Sequence, residues 1–100
     1  MRAAAVTAVG KLTGADAQAR LVRALSDPNA GVRMDAAFWL GQPAFASAAA
    51  ALGGTLAGDP DIDVRVAAAQ ALSRLGTAAA RLQLRRGAKD ADARVRRWAK

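Results

Sequence analysis

The sequence predicts an all-α solenoid, in which repeated pairs of helices stack side by side. The first observation is a phrase that occurs three times, as DPNAGVR at 27–33, DPDIDVR at 59–65 and DADARVR at 90–96. The second is the period, because arginines at one repeat position are separated by 31, 32 and 31 residues, at Arg2, Arg33, Arg65 and Arg96. Such periods are typical of stacked repeats. The third is the apolar spacing within each unit, which is helical rather than alternating.

A chain of 100 residues predicts one domain, 1–100, with a modest core. The period divides it into about three helix pairs, at approximately 1–26, 27–58 and 59–89, and a partial fourth at 90–100. Hydrophobic residues make up 53% of the chain, but alanine supplies 29 of them and aromatic residues only four. The core is therefore expected to be shallow, with closely spaced helices.

Each full unit is predicted to contain a first and a second helix. The spacing of Val64, Ala68 and Leu72 is that of an amphipathic first helix, and apolar residues around Leu21 and Leu52 indicate second helices. In chain order, the predicted helices span 2–12, 15–26, 28–41, 43–57, 60–75, 77–87 and 91–100.

Helix boundaries are indicated by aspartate, proline and glycine. Asp27 and Asp59 each precede a proline, which predicts an aspartate N-cap followed by proline at the first helical position. Gly53 and Gly54 fall inside the predicted helix 43–57, where each glycine costs about 0.8 to 1 kcal/mol relative to alanine. That helix is therefore expected to bend or fray at the glycine pair.

The phrase DPDIDVRVAAAQALSRLG at 59–76 resembles the first helix of HEAT repeats of the bacterial, PBS-lyase-like kind. The resemblance extends over essentially the whole chain. It implies a right-handed α-solenoid with first helices on the convex side and second helices on the concave side. It also implies a structural hydrogen-bonded ladder between neighbouring repeats, formed by Asp27, Arg33, Asp59, Arg65, Asp90 and Arg96.

The chain is strongly basic, with a net charge of +7. Several arginines fall on predicted second helices, which the resemblance places on the concave side. They form a candidate binding surface of Arg20, Arg23, Arg81, Arg85 and Arg86. Such a surface would attract acidic proteins, nucleic acid or anionic headgroups, and the alternative is that these arginines are simply solvated.

No catalytic, cofactor-binding or metal-binding residues are predicted. The chain contains no cysteine, histidine or glutamate, and no phosphate-binding glycine loop is present. Among enzymes that share this repeat type, deoxyhypusine hydroxylase binds iron through histidine and glutamate, and the lack of both excludes that activity for this chain.

The predicted function is a non-catalytic protein–protein interaction scaffold, as a segment of a longer cytoplasmic protein, and its basic surface predicts an acidic protein partner. The alternative is a nucleic-acid-binding or DNA-processing module that uses a basic concave surface. End-to-end self-association is also expected, because solenoid ends without polar caps expose apolar surface. Residues 36–58 carry no charge, but Pro43 and the glycine pair argue against a membrane span.

Overall fold

The computed structural model describes residues 15–99, and these residues form helices without a strand. The α-helices are α1 (Ala15–Ala24), α2 (Ala30–Leu40), α3 (Ala49–Gly58), α4 (Ile62–Leu75), α5 (Ala78–Leu84) and α6 (Ala93–Trp98). Two 3-10 helices, Pro43–Ala48 and Arg85–Gly87, precede α3 and follow α5. The predicted helix 2–12 lies outside the described residues.

The helices form two layers, which confirms the predicted all-α solenoid. The first helices α2, α4 and α6 form one layer, in which α4 packs against both α2 and α6. The second helices α1, α3 and α5 form the other, and α3 packs against α4 and α5. Neighbouring helices of each layer pack against one another along the stack, as expected for a solenoid, except that α1 makes few close contacts with α3.

The core repeats with the sequence period. Equivalent valines in the first helices, Val32, Val64 and Val95, are at most 2% exposed. Equivalent leucines of the second helices are also buried, at Leu21, Leu52 and Leu84. Fully buried alanines such as Ala36 and Ala68 lie between these larger side chains. Because alanine has little volume, the two layers approach closely.

The aspartate–proline pairs do not start the helices as predicted. The N-caps are Asn29, Asp61 and Asp92, whose side chains accept backbone N–H groups of the first turn. Asp27 and Asp59 lie two residues earlier and accept the backbone N–H of Asn29 and Asp61, each at 2.9 Å. The prolines therefore lie in the connecting turn, and α2 and α4 begin two residues later than expected.

The break in the second helix of the second unit is not at the glycine pair. Gly53 and Gly54 lie within regular α3, whereas the chain departs from helical geometry at Phe45 (φ −111°, ψ 26°) inside the 3-10 segment. Phe45 is 2% exposed. Burial of this aromatic side chain accompanies the local distortion, and the predicted helix 43–57 is divided into two parts.

No helix within residues 15–99 is both long and apolar enough to cross a membrane.

Candidate functional site

Two arginine–aspartate pairs join neighbouring units in the turns between second and first helices. Arg33 Nε donates to Asp59 Oδ2 at 2.8 Å, and its Nη2 donates to Oδ1 at 3.3 Å. One unit later, Arg65 makes the same two bonds to Asp90, at 2.9 and 3.4 Å. These two-pronged contacts hold successive units in a fixed register.

The same residues also hold their own turns. Nη1 of Arg33, Arg65 and Arg96 donates to the backbone carbonyl of Asp27, Asp59 and Asp90, respectively, at 2.7 to 2.9 Å. The Asp90 carboxylate accepts the backbone N–H of Asp92, just as Asp27 and Asp59 accept the backbone N–H groups of Asn29 and Asp61. All six ladder residues therefore make contacts that stabilise the fold, and the polar groups of the two complete rungs are occupied.

An open groove of about 600 Å³ lies between the second helices α1 and α3. Val22 and Leu25 line it from α1, and the turn residues Pro28 and Pro60 lie at its end. From α3, the lining residues follow helical spacing and comprise Ala51, Gly54, Thr55 and Gly58. The groove exists because α1 makes few close contacts with α3 and packs instead against the 3-10 segment before it.

In contrast to the open space between α1 and α3, α3 packs closely against the following second helix α5. Gly53 is buried, and a Cβ placed there would lie 2.9 Å from Gln83 Cβ and also meet the end of that side chain. Gly54, one residue later, has nothing within 4 Å of such a Cβ. One glycine therefore permits helix packing, and the next leaves open space beside the groove.

All five arginines of the candidate binding surface are exposed, but they do not share one face. Arg23 and Arg86 occupy the repeat position of Gly54, which faces open space. Arg81 and Arg85 occupy the positions of Ala49 and Gly53, which are buried in the preceding unit.

The burial of those equivalents indicates where each arginine points. Gly53 faces the following second helix, so the repeat register assigns Arg81 and Arg85 to positions that face along the stack. Arg20 shares its position with Ala51 and Gln83, which face the preceding unit. By register, Arg23 and Arg86 are the members of the predicted set in the outward row of the second helices, and Arg86 Nη1 donates to Gln83 Oε1 at 3.1 Å.

A second exposed region lies on the first helices and was not among the predicted site residues. Met34 and Phe38 are 39% and 46% exposed, and they line a depression of about 320 Å³ together with Val66 and the carboxylates of Asp35 and Asp63. The bulky Phe38, where the next unit has Gln70, was its only sequence signal.

Phe38 is held in place on this surface. The guanidinium carbon of Arg74 lies 4.5 Å from the Phe38 ring centroid, and Arg74 Nη2 donates to the Phe38 carbonyl at 2.7 Å. The ring also packs edge-on against Trp39, with centroids 5.4 Å apart. Arg74 is therefore engaged in a structural contact.

The pKa values of Asp92 and Arg94 are shifted in opposite directions. The Arg94 side chain donates to Asp92, and this hydrogen bond, with that of the Arg94 backbone N–H, lowers the pKa of the Asp92 carboxyl. Asp92 in turn raises the pKa of Arg94. Asp92 is also the N-cap of α6, so the second, smaller cause of its lowered pKa is helix capping. Within residues 15–99, no group of acidic side chains is arranged to hold a metal ion.

Comparison with known proteins agrees with this architecture. The family model described as HEAT repeats matches residues 21–100. A structure of human deoxyhypusine hydroxylase in complex with glycerol is similar with a TM-score of 0.83 and 26% sequence identity. The similarity covers 95% of this chain and 33% of the enzyme, so the chain spans about a third of that protein's length. No curated protein is a significant sequence match.

Proposed function

Because the chain belongs to the HEAT-repeat family, we propose that it is a non-catalytic scaffold that binds another protein on its second-helix surface. The observation that carries the proposal is the groove between α1 and α3, an open surface lined mainly by apolar and small residues, with Asp27, Arg33 and Asp59 also in its lining. Nearby polar groups of Arg33 and Asp59 are already occupied by each other. Such a surface offers shape and apolar area rather than reactive side chains.

The similarity to an enzyme is compatible with this proposal. It covers only a third of that enzyme, so the shared feature is the stack of helices, and a fold alone does not carry a function. This chain also lacks the histidine and glutamate that the family resemblance associates with iron binding. Any catalysis by this chain would therefore have to use side chains other than histidine and glutamate.

The proposal is tested by site-specific photo-crosslinking in the full-length protein. A crosslinking residue at Ala50, on the exposed part of α3, reports on the second-helix surface, and one at Gln70 reports on the first-helix surface. We expect a defined protein adduct from position 50. Absence of a protein adduct from both positions would contradict the scaffold function.

A nucleic-acid-binding role is the second candidate, and the charge distribution favours it. The second helices and the 3-10 turn after α5 carry five arginines and one aspartate, a net charge of five minus one, or +4. If the partner is duplex DNA, log affinity should fall against log salt with a slope of about 0.9 per phosphate neutralised. Fluorescence anisotropy at two salt concentrations tests this.

We expect weak or no oligonucleotide binding near physiological salt. The comparison variant replaces Arg81, Arg85 and Arg86 with serine, which removes three of the five arginines. Tight binding that this triple variant abolishes would favour the nucleic-acid function over the scaffold.

End-to-end self-association stays part of the proposal for the isolated chain. Leu82 on α5 is 61% exposed, which leaves apolar surface on the last complete unit. Light scattering over a range of concentrations should detect the association, and a strictly monomeric chain would contradict it.

A further inference from the structure

We propose that the groove between α1 and α3 receives the apolar face of an acidic amphipathic helix from a partner protein. This inference rests on the proposed scaffold function and specifies its partner. It follows from the shape of the groove, from its lining and from the charge around it.

The groove is long enough to hold about two turns of a helix. Its α3 wall is formed by residues 51, 54, 55 and 58, which lie at helical spacing on one side of that helix. Residues 51 to 58 extend about 10 Å along the axis, since an α-helix rises about 1.5 Å per residue. A bound helix would place side chains at i, i+3, i+4 and i+7 along such a channel.

The lining is suited to apolar anchors. Val22 and Leu25 form one wall, and in the other Gly54 and Gly58 lack side chains beside the small Ala51 and Thr55. A Cβ at either glycine would meet nothing within 4 Å, so the space is open to another molecule. Leucine or methionine side chains from a partner helix would bury the exposed part of the half-buried Val22, beside the buried Leu25.

The surrounding charge favours an acidic partner. Arg23 on α1 and Arg86 beyond α5 lie in the outward row on either side of Gly54, and α3 itself has no charged residue. Two carboxylates line the end of the groove, and one of them, Asp59, is bound by Arg33. Acidic residues flanking the apolar stripe of the partner would face the two outward arginines.

The probe is a display library of 18-residue helical peptides, selected on the intact chain. We expect enriched peptides with apolar residues at helical spacing and an excess of aspartate and glutamate. Gly54→Leu should weaken their binding at least about tenfold by filling the groove, a factor equal to 1.4 kcal/mol. Arg23→Ser and Arg86→Ser should each weaken it about threefold, more at low salt than at high salt.

Matched controls separate loss of the groove from loss of the fold. Ser73→Leu adds the same side chain to an exposed position of α4, and Arg97→Ser removes an exposed arginine from α6. Neither should alter peptide affinity. The melting temperature of Gly54→Leu should not fall, because the added side chain enters open space and glycine is a poor helix former.

Each other outcome overturns the groove proposal, and the outcomes separate it from the scaffold function. Peptides that bind Gly54→Leu normally but are lost with Phe38→Ser would move the docking surface to the first helices and leave the scaffold function intact. Enrichment of basic peptides, or competition by an oligonucleotide, would overturn the partner chemistry. If no peptide is enriched but position 50 still crosslinks to protein, the groove proposal is overturned and the scaffold function stands. If no peptide is enriched and position 50 gives no adduct, both the groove proposal and the scaffold function are overturned.

Discussion

Asp59 stabilises the chain in two directions at once. Its Oδ1 accepts the backbone N–H of Asp61 within its own turn, and both carboxylate oxygens accept hydrogen bonds from Arg33 of the preceding unit. The Asp59 side chain is only 5% exposed and that of Arg33 13%. A residue with both roles links the geometry of a turn to the register of the stack.

Removal of this carboxylate should therefore be costly. Asp59→Ala leaves the Arg33 guanidinium and the Asp61 N–H without their partner, and we expect a loss of about 1 to 3 kcal/mol in the free energy of unfolding. The control is Asp63→Ala, because the Asp63 side chain is 70% exposed and its contact with Arg94 is 3.5 Å long. That change should cost less than about 0.5 kcal/mol. Equal losses in urea denaturation would contradict the role of Asp59.

The pKa of Asp92 offers a second test at a single residue. The side-chain hydrogen bond from Arg94 is the largest cause that lowers this pKa below its ordinary value of 3.8. Arg94→Gln should raise the pKa toward that value, while the backbone N–H of residue 94 still holds it partly down. Carboxyl carbon NMR titration measures the shift, and Arg97→Gln is the control. An unchanged pKa in Arg94→Gln would contradict the assignment.

The direction of this shift also sets its effect on stability. A carboxyl with a lowered pKa in the folded state contributes stability above its unfolded pKa and loses it as pH falls through the folded value. The cap of α6 should therefore be retained at neutral pH and weaken only in acid, below about pH 4.

At the scale of helices, the repeat phrase predicts where units meet better than where each helix begins. Asp27 and Asp59 belong to a residue type that is favoured at N-caps, yet Asn29 and Asp61 cap the helices. Local sequence allowed both arrangements, since aspartate can accept from an N–H two or three residues later. The observed arrangement, in which Asp59 binds Arg33 instead of capping the helix, depends on a contact between residues 26 apart, which a local sequence pattern does not contain.

Alanine substitutions at the two adjacent glycines in α3 should change the free energy of unfolding in opposite directions. Gly53→Ala places a Cβ 2.9 Å from Gln83 Cβ, an atom that cannot rotate away, so α5 must move. We expect a net loss of about 1 kcal/mol once the gain in helix propensity is subtracted. Gly54→Ala enters open space and should gain about 0.4 to 1 kcal/mol. Chemical denaturation distinguishes them, and changes of the same sign would contradict this packing.

The alanine layer between helices should also resist added volume. Ala68 in α4 is fully buried, whereas Ala79 at the beginning of α5 is exposed. Ala68→Leu should lose about 1 to 3 kcal/mol by overpacking, and Ala79→Leu should change stability by less than about 0.5 kcal/mol. The measurement is again the free energy of unfolding in urea. Negligible effects at both positions would show that helix faces are assigned incorrectly.

At the scale of the molecule, the period predicts the two layers, but it does not predict the groove. A regular solenoid would pack α3 equally against α1 and α5. Here the 3-10 segment Pro43–Ala48 packs against α1 and separates it from α3, while Gly53 admits Gln83 on the other side. The chain departs from helical geometry at Phe45 within this segment, and no local pattern indicates that distortion. The basic second helices could therefore be predicted, but not the space between α1 and α3.

The stack also determines how cooperatively the chain unfolds, because each unit is stabilised mainly by its neighbours. Trp39 lies in the second unit and Trp98 in the short helix α6, and both pack against the core. Variants that retain only one tryptophan, Trp98→Phe and Trp39→Phe, can report on the two regions separately. In urea, the fluorescence transition of Trp98 should have the lower midpoint, since α6 has six residues and packs mainly on α4.

The Arg65 rung should set the coupling between these two regions. Arg65 binds Asp90 in the turn before α6, so Arg65→Gln removes the two-pronged contact that joins α6 to the third unit. We expect this change to lower the midpoint reported by Trp98 more than that reported by Trp39. Arg33→Gln is the matched control, because it removes the equivalent rung one unit earlier and should lower the Trp39 midpoint at least as much as that of Trp98. Equal shifts of both reporters in Arg65→Gln would show that the chain unfolds as one unit, whose cooperativity does not depend on the ladder.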